Sequence, residues 1–348
     1  MLAEFSVIEG AYLRDILDQP RALENTLAAL EVSAALQSIA GKLRHGGFRN
    51  VVLTGMGSSF HALHPTRLAL VERGFAPMMI ETGELIHYMT HLFDPKTLIV
   101  AVSQSGQSAE IVRLLEANQQ KAAVIGVTNT ADSQLAQCAD AVVLTSAGSE
   151  SSVSCKTYVT ALLALEWLTT VLRNGDLETA ADRMKTAIAA VQEYLAGWTS
   201  HVQRFAEVLS GIQNLFLVGR GASLAAVGCG ALIIKESDHF PAEGMSSASF
   251  RHGPFEMLSE KSFVLVFAGD QRTRDLNVRL LDDIRQQGGR AELIDEQTLQ
   301  LPNFAASEKC FRPILEILPV QMITLALAAQ VGREPGRFER TSKITTRE

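Results

Sequence analysis

NVVLTGMGSS, residues Asn50–Ser59, and NLFLVGRGAS, residues Asn214–Ser223, are one pattern written twice. Each is a short apolar run that ends in Gly-x-Gly followed by a small hydroxyl residue. Gly55, Gly57 and Ser59 recur as Gly219, Gly221 and Ser223, 164 positions later in each case. A buried strand that ends in glycines where a helix must begin is the strand-to-helix turn of a parallel α/β sheet. The neighbourhood agrees. TLIVAVS (Thr97–Ser103), AAVIGVT (Ala122–Thr128) and AVVLTS (Ala141–Ser146) read as further buried strands, and HALHPTRLALVERG and AEIVRLLEANQQ between them have helical spacing. Strand alternating with helix implies a parallel sheet covered on both faces.

The second copy repeats more than its first turn. KSFVLVF (Lys261–Phe267) aligns with TLIVAVS at the same spacing, and AELI (Ala291–Ile294) reads as another strand. The predicted fold class is therefore α/β: two tandem Rossmann-like, three-layer α/β/α units with parallel sheets of about five strands each. The boundaries predicted are a helical segment over 1–47, a first unit over 48–195 and a second unit with a C-terminal tail over 196–348. The join is the polar, helix-prone stretch Arg173–Gly197, which opens with a turn at Asn174-Gly175-Asp176.

The chemistry concentrates after the strand TLIVAV, in SQSGQSAE (Ser103–Glu110). Ligands of open α/β sheets sit at the carboxyl ends of the strands. The first N–H groups of the following helix lack partners, and the helix dipole favours an anion there. Ser103, Ser105 and Ser108 add hydroxyl donors, and Gly106 permits a tight turn. The stretch reads as a phosphate cradle. Serines at such a turn also cap helices, but three of them, beside a Gly-x-Gly-Ser-Ser turn, exceed what capping needs. The lysine of a nucleotide P-loop is missing, and so is a complete GxGxxG, which argues against ATP and dinucleotides. At the 164-residue spacing the three serines become Phe267, Gly269 and Arg272, so the hydroxyl cradle is expected once per chain.

The 348 residues suffice for two domains. A 47% apolar content with 20% charged residues fits a globular core, and a net charge of −7 argues against general attraction to nucleic acid or anionic membranes. Cys138, Cys155, Cys229 and Cys310 lie far apart with no CxxC pair, which suggests neither a zinc site nor a disulfide framework. The N-terminus has no signal-peptide pattern, and the apolar run ASLAAVGCGALII is too short for a bilayer. A cytoplasmic protein without nucleic-acid or membrane partners is expected.

GMGSSFHA together with SQSGQSAE resembles the SIS (sugar isomerase) domain, and the tandem arrangement resembles the isomerase half of glucosamine-6-phosphate synthase. Four further stretches carry the resemblance in order: LRDILDQPRAL (Leu13–Leu23), GSESSVSCKTYVT, ALIIKESDHFPAEGMSSASFRHGP (Ala231–Pro254) and the tail PGRFERTSKITT. No stretch resembles the glutamine-hydrolysing half, so glutamine-dependent amidotransfer is not expected. Relatives of that kind include amino-sugar-phosphate deaminases, fructosamine-6-phosphate deglycases and phosphosugar isomerases.

The resemblance implies roles for individual residues. Ser103, Gln104, Ser105 and Ser108 hold the phosphate, with Ser58 and Ser59 contacting phosphate or sugar. Glu236 is the base that moves a proton between C1 and C2, His252 opens the sugar ring from a neighbouring subunit, and Lys343 closes over the open-chain sugar. Val153 and Cys155 line the sugar. Glu72 stands at the counterpart position of Glu236 in the first copy, which leaves open a structural role for both. The chain also departs from the family pattern. Ile233 replaces a lysine, Ser249 replaces the glutamate of GELKHGP, Cys155 replaces a serine, and the Thr-Lys that follows is inverted to Lys156-Thr157. The phosphate end is intact while the sugar end has changed.

The expected function is processing of a hexose 6-phosphate derivative by a homodimer with shared sites, without cofactor or metal. An aminosugar or fructosamine 6-phosphate deaminase or deglycase is the first reading. A plain phosphosugar isomerase and a non-catalytic phosphosugar-binding regulator are the alternatives.

Overall fold

The computed structural model describes residues 5–301, 309–340 and 342–345. Thr341 and Thr346 of the tail motif lie outside the described residues. The chain divides into two compact units, each assembled from separate segments. The first comprises Arg21–Ser149, Lys156–Lys185 and Thr341–Glu348; the second comprises Met1–Pro20, Glu150–Cys155 and Thr186–Arg340.

The first unit is built on a five-stranded parallel sheet in the order β2-β1-β3-β4-β5. Its strands are β1 (Asn50–Gly55), β2 (Met78–Glu81), β3 (Thr97–Val102), β4 (Ala123–Thr128) and β5 (Ala141–Leu144). The central strand β3 is buried at all six positions, as an unbroken apolar run requires when helices cover both faces. Ile99 and Ala101 pack with Val52, Leu85, Ile111, Leu114 and Leu135, which brings three helices onto one face. The helix Lys156–Leu172, buried along nearly its whole length, packs against β4 and β5.

β1 and β3 are neighbours, yet the chain leaves β1 toward β2 on one side and β3 toward β4 on the other. Ligands of open α/β sheets bind at such a reversal, at the carboxyl ends of the two strands. The register pairs Gly55 with Val102, the last residues of β1 and β3. A Cβ at Gly55 would lie 2.9 Å from the Val102 carbonyl oxygen, so only glycine allows this approach.

The second unit repeats the plan with four strands among the described residues, in the order β7-β6-β8-β9. They are β6 (Asn214–Gly219), β7 (Ala242–Ser246), β8 (Ser262–Phe267) and β9 (Arg290–Ile294), all parallel. Phe216, Val218, Val264 and Val266 pack with Phe250, Leu280 and Ile284 on one face. The helix Leu224–Asp238 packs on the sheet at β6 and β7 and is itself packed by Leu318–Val331.

The stretch Pro313–Val331 is a longer apolar helix than the run singled out in the sequence, 19 residues with a mean hydropathy of 1.8 in its most apolar window. That window is 89% buried in the fold, which makes this a core helix hydrophobic on all sides.

Candidate functional site

The SQSGQS turn expected to form the cradle lies in the first unit. Ser103 leaves β3 with its N–H donated to the Val127 carbonyl at 3.0 Å, so the turn stays tied to β4. The Gly106 N–H donates to Ser103 Oγ at 3.1 Å, and the Gln107 N–H to Ser105 Oγ at 3.3 Å. Both hydroxyls thus spend a lone pair inside the turn and keep their O–H donors. The Gln104 carbonyl accepts from the Asn129 N–H at 3.0 Å and from Thr128 Oγ1 at 3.3 Å, which fixes the peptide between the two serines. Gly106 has φ +63°, and a Cβ there would lie 2.2 Å from Ser133 Oγ, so conformation and space both demand glycine.

Ser108 is the N-cap residue of the helix Ala109–Asn118, yet its side chain makes no capping hydrogen bond. Its hydroxyl is left at a helix start, where the dipole favours negative charge. Ser58 and Ser59 lie half-buried in the short helix Gly57–His61, without side-chain hydrogen bonds among the described residues. The Gly55–Val102 pairing puts this turn beside the serines of SQSG. His64, one turn further on, is pulled down to about 4 by burial, with His61 and Arg67 acting in the same direction.

The tail reaches the same place. The Ala109 N–H, first in the cradle helix, donates to the Thr345 carbonyl at 3.0 Å. Lys343 sits two residues before that anchor, half-buried. Glu110 follows Ala109 and is buried, with one carboxylate oxygen lacking a partner among the described residues. The first unit therefore gathers Ser58, Ser59, Ser103, Gln104, Ser105, Ser108 and the Lys343 segment.

The second unit lacks this cradle, and its register corrects the correspondence read from sequence. Gly55 pairs with Val102 in the first sheet, whereas Val218 pairs with Val266 in the second. The strand after the repeated turn is thus displaced by one residue from the 164 spacing. The true counterparts of Ser103, Ser105 and Ser108 are Ala268, Asp270 and Thr273, not Phe267, Gly269 and Arg272. The hydroxyls of the SQSGQS turn are not repeated at these counterparts, Thr273 apart. Asp270 accepts from the Thr273 N–H and Oγ1, both at 3.2 Å, and sets a carboxylate where the first unit has Ser105. Ser223, the counterpart of Ser59, is buried and donates to Glu316 Oε1 at 2.9 Å.

Glu236, His252, Val153 and Cys155 belong to the second unit. Glu236 is half-buried within the helix Leu224–Asp238. Glu72 is exposed at the C-cap of the helix Leu63–Val71, so the two glutamates stand in different surroundings. His252 is exposed at the C-cap of the helix Ser247–Arg251. The Val153 N–H donates to the Gly336 carbonyl at 3.2 Å, and the Gly336 N–H donates to Ser237 Oγ at 3.0 Å. One residue thus ties the Val153 loop to the residue beside Glu236.

Cys155 is fully buried. Its N–H and Sγ reach Glu150 Oε1 at 3.1 and 3.3 Å. It anchors a carboxylate rather than presenting a nucleophile. Asp15, Glu150 and Cys155 bring ligand atoms within 4.8 Å of one another, a grouping a cation could use. Ser152 Oγ donates to Asp15 Oδ2 at 3.0 Å, so hydrogen bonds already order this corner.

Asp238, two residues after Glu236, gave no signal in the sequence. It is buried at a helix C-terminus, and neither carboxylate oxygen has a hydrogen-bond partner among the described residues. Burial raises its pKa well above the usual carboxylate value and outweighs the lowering influence of Ser237 and Arg333.

The SIS domain model matches residues 48–171. The chain is 27% identical over 356 residues to glutamine–fructose-6-phosphate aminotransferase [isomerizing] of Thermococcus kodakarensis. That match covers 96% of this chain and 57% of the relative, so the chain spans little more than half of that protein. The C-terminal domain of glucosamine-fructose-6-phosphate aminotransferase from Francisella tularensis superposes with a TM-score of 0.80 at 21% identity, covering 94% of this chain and 98% of that one. Glucosamine-6-phosphate deaminase from Thermotoga maritima superposes with a TM-score of 0.74 at 17% identity, covering 97% and 100%.

Proposed function

Because residues 48–171 form a SIS domain and the chain as a whole resembles phosphosugar-processing SIS proteins, we propose that it is an enzyme of hexose 6-phosphate derivatives. The 6-phosphate is held by Ser103, Ser105 and Ser108, with Gln104, Ser58 and Ser59 completing the cradle. The observation that carries this reading is the state of the hydroxyls. Ser103 and Ser105 accept from turn N–H groups and Ser108 caps nothing, so three O–H donors face no competing acceptor in the turn.

In this reading His252 opens the sugar ring and Glu236 takes the proton from one carbon of the C1/C2 pair and returns it to the other. A carboxylate suits that shuttle because one group can accept and deliver on the same face. Lys343 covers the open-chain sugar, and Val153 and Cys155 shape its surroundings. The exposed His252 acts on sugar bound by a neighbouring copy in a homodimer. The substrate is an amino sugar or fructosamine 6-phosphate; the proton shift leaves an imine, water adds to its carbon, and the amine departs as the C–N bond breaks and the carbonyl forms. The changes at Ile233, Ser249 and Cys155 support a C1/C2 substituent unlike that of the synthase.

The test is incubation of the full chain with glucosamine 6-phosphate and fructoselysine 6-phosphate in deuterated water, following amine release and deuterium in the sugar product, at C1 from the first substrate and at C2 from the second. The reading predicts both signals, each abolished by Glu236→Gln. Deuterium uptake without amine release would assign plain isomerisation, and neither signal with retained binding would assign a regulator.

A further inference from the structure

In the second unit a groove of about 530 Å³ opens along the helix Arg274–Gln286. Arg220, Arg251 and Arg279 line it against Asp282 and Asp283, with the exposed Leu276. Arg220 occupies the Gly219-Arg220-Gly221 turn directly after β6, at the carboxyl edge of a parallel sheet. Its counterpart in the first copy is the uncharged Met56.

The arginines differ in how they are satisfied. Arg251 pairs with Asp283 at 2.5 Å. Arg220 Nε is buried and donates to nothing, and neither Arg220 nor Arg279 forms an ion pair among the described residues. A buried guanidinium N–H without an acceptor is unfavourable, and a ligand oxygen relieves it. The helix Ser247–Arg251 carries no acid to do so, because Ser249 stands where the resembled motif has glutamate. The chain bears a net charge of −7, so arginines outnumbering acids in one groove are a local feature rather than a basic surface.

We propose that this groove is a second anion site, for a phosphate group carried by free phosphate or by a phosphosugar, separate from the hydroxyl cradle. Guanidinium forks match phosphate oxygens in bidentate fashion, which a point charge does not. The groove has the volume of a small-metabolite site. It lies along the flank of its helix and not at the helix start, where Asp270 disfavours an anion. The proposal does not depend on the proposed reaction.

The test uses the full chain with the cradle disabled by Ser103→Ala and Ser105→Ala. Binding of inorganic phosphate and, separately, of fructose 6-phosphate is measured by calorimetry at low salt. One site per chain is expected to remain, weakened at least tenfold by Arg279→Gln and by Arg220→Gln. Arg279 is exposed, so its variant reports on binding without disturbing the fold, checked by the thermal midpoint. Phosphate binding identifies the free ion as sufficient; binding of fructose 6-phosphate alone identifies the sugar ester. Absence of residual binding of either probe, or residual binding that both arginine variants leave unchanged, overturns the proposal.

Discussion

Gly55 and Val102 face each other across β1 and β3, and a Cβ on Gly55 would lie 2.9 Å from the Val102 carbonyl oxygen. That one pairing sets the GMGSS turn and the SQSGQS turn side by side at the point where the strand order reverses. The fold thereby brings two serine-bearing strand ends together at the carboxyl edge of the sheet, where ligands of open α/β sheets bind.

Ser108 separates binding from stability. An N-cap serine replaced by alanine ordinarily costs about 1 kcal/mol. Because the Ser108 side chain makes no capping bond, Ser108→Ala is expected to cost only a few tenths of a kcal/mol. Loss of one hydroxyl-to-phosphate bond, about 1–1.5 kcal/mol, should weaken fructose 6-phosphate binding roughly five- to tenfold. Thermal melts and calorimetry on the same preparation check both halves.

Gly106→Ala should be costly. The residue has φ +63°, and the added methyl would meet Ser133 Oγ at 2.2 Å. Strain and overpacking together predict a loss of about 2 kcal/mol or more. A chemical-denaturation midpoint unchanged from the parent would contradict the turn geometry described.

Asp238 has a folded-state pKa well above its unfolded value, because burial disfavours its charge. Its folded form therefore binds the proton more tightly. The stability it allows is full below the unfolded pKa and is lost as pH rises toward the folded one. Asp238→Asn, which mimics the neutral acid, should be more stable than the parent at pH 7–8 by about 1–3 kcal/mol. The two proteins should converge near pH 3–4. Melting curves against pH give the comparison.

His64 works in the opposite direction. Its pKa falls from 6.5 to about 4 on folding, so the unfolded chain binds the extra proton between those values. Stability is full above pH 6.5 and declines as pH falls toward 4, by about 2–3 kcal/mol from this group. His64→Gln should flatten that acid limb, as denaturation series at pH 7.0 and 4.5 would show.

The interior strands, and the turns that follow them, are legible in sequence because a parallel sheet buried on both faces needs unbroken apolar runs. β2 and β7 give no such signal. They are edge strands, half-buried and short, and MMIE and AEGMS mix apolar and polar residues. The one-residue displacement between the repeats is invisible without the register, since apolar strands align as well at either spacing. The burial of Asp238 beside Arg333 depends on segments brought together by folding, and the grip of Cys155 on Glu150 depends on the irregular turn of the loop between them. Pro313–Val331 offers no amphipathic stripe because the fold covers every side of it.

In the proposed function, hydroxyl donors at the carboxyl ends of β1 and β3 hold the terminal phosphate of a hexose. Calorimetric titration of the parent and of the Ser103→Ala, Ser105→Ala, Ser108→Ala triple variant with fructose 6-phosphate tests it most directly. The background for both is Arg279→Gln, which weakens binding in the arginine groove. At about 1–1.5 kcal/mol per hydroxyl, affinity should fall by at least a hundredfold. Equal affinity in the two proteins, with the triple variant folded, would contradict the account.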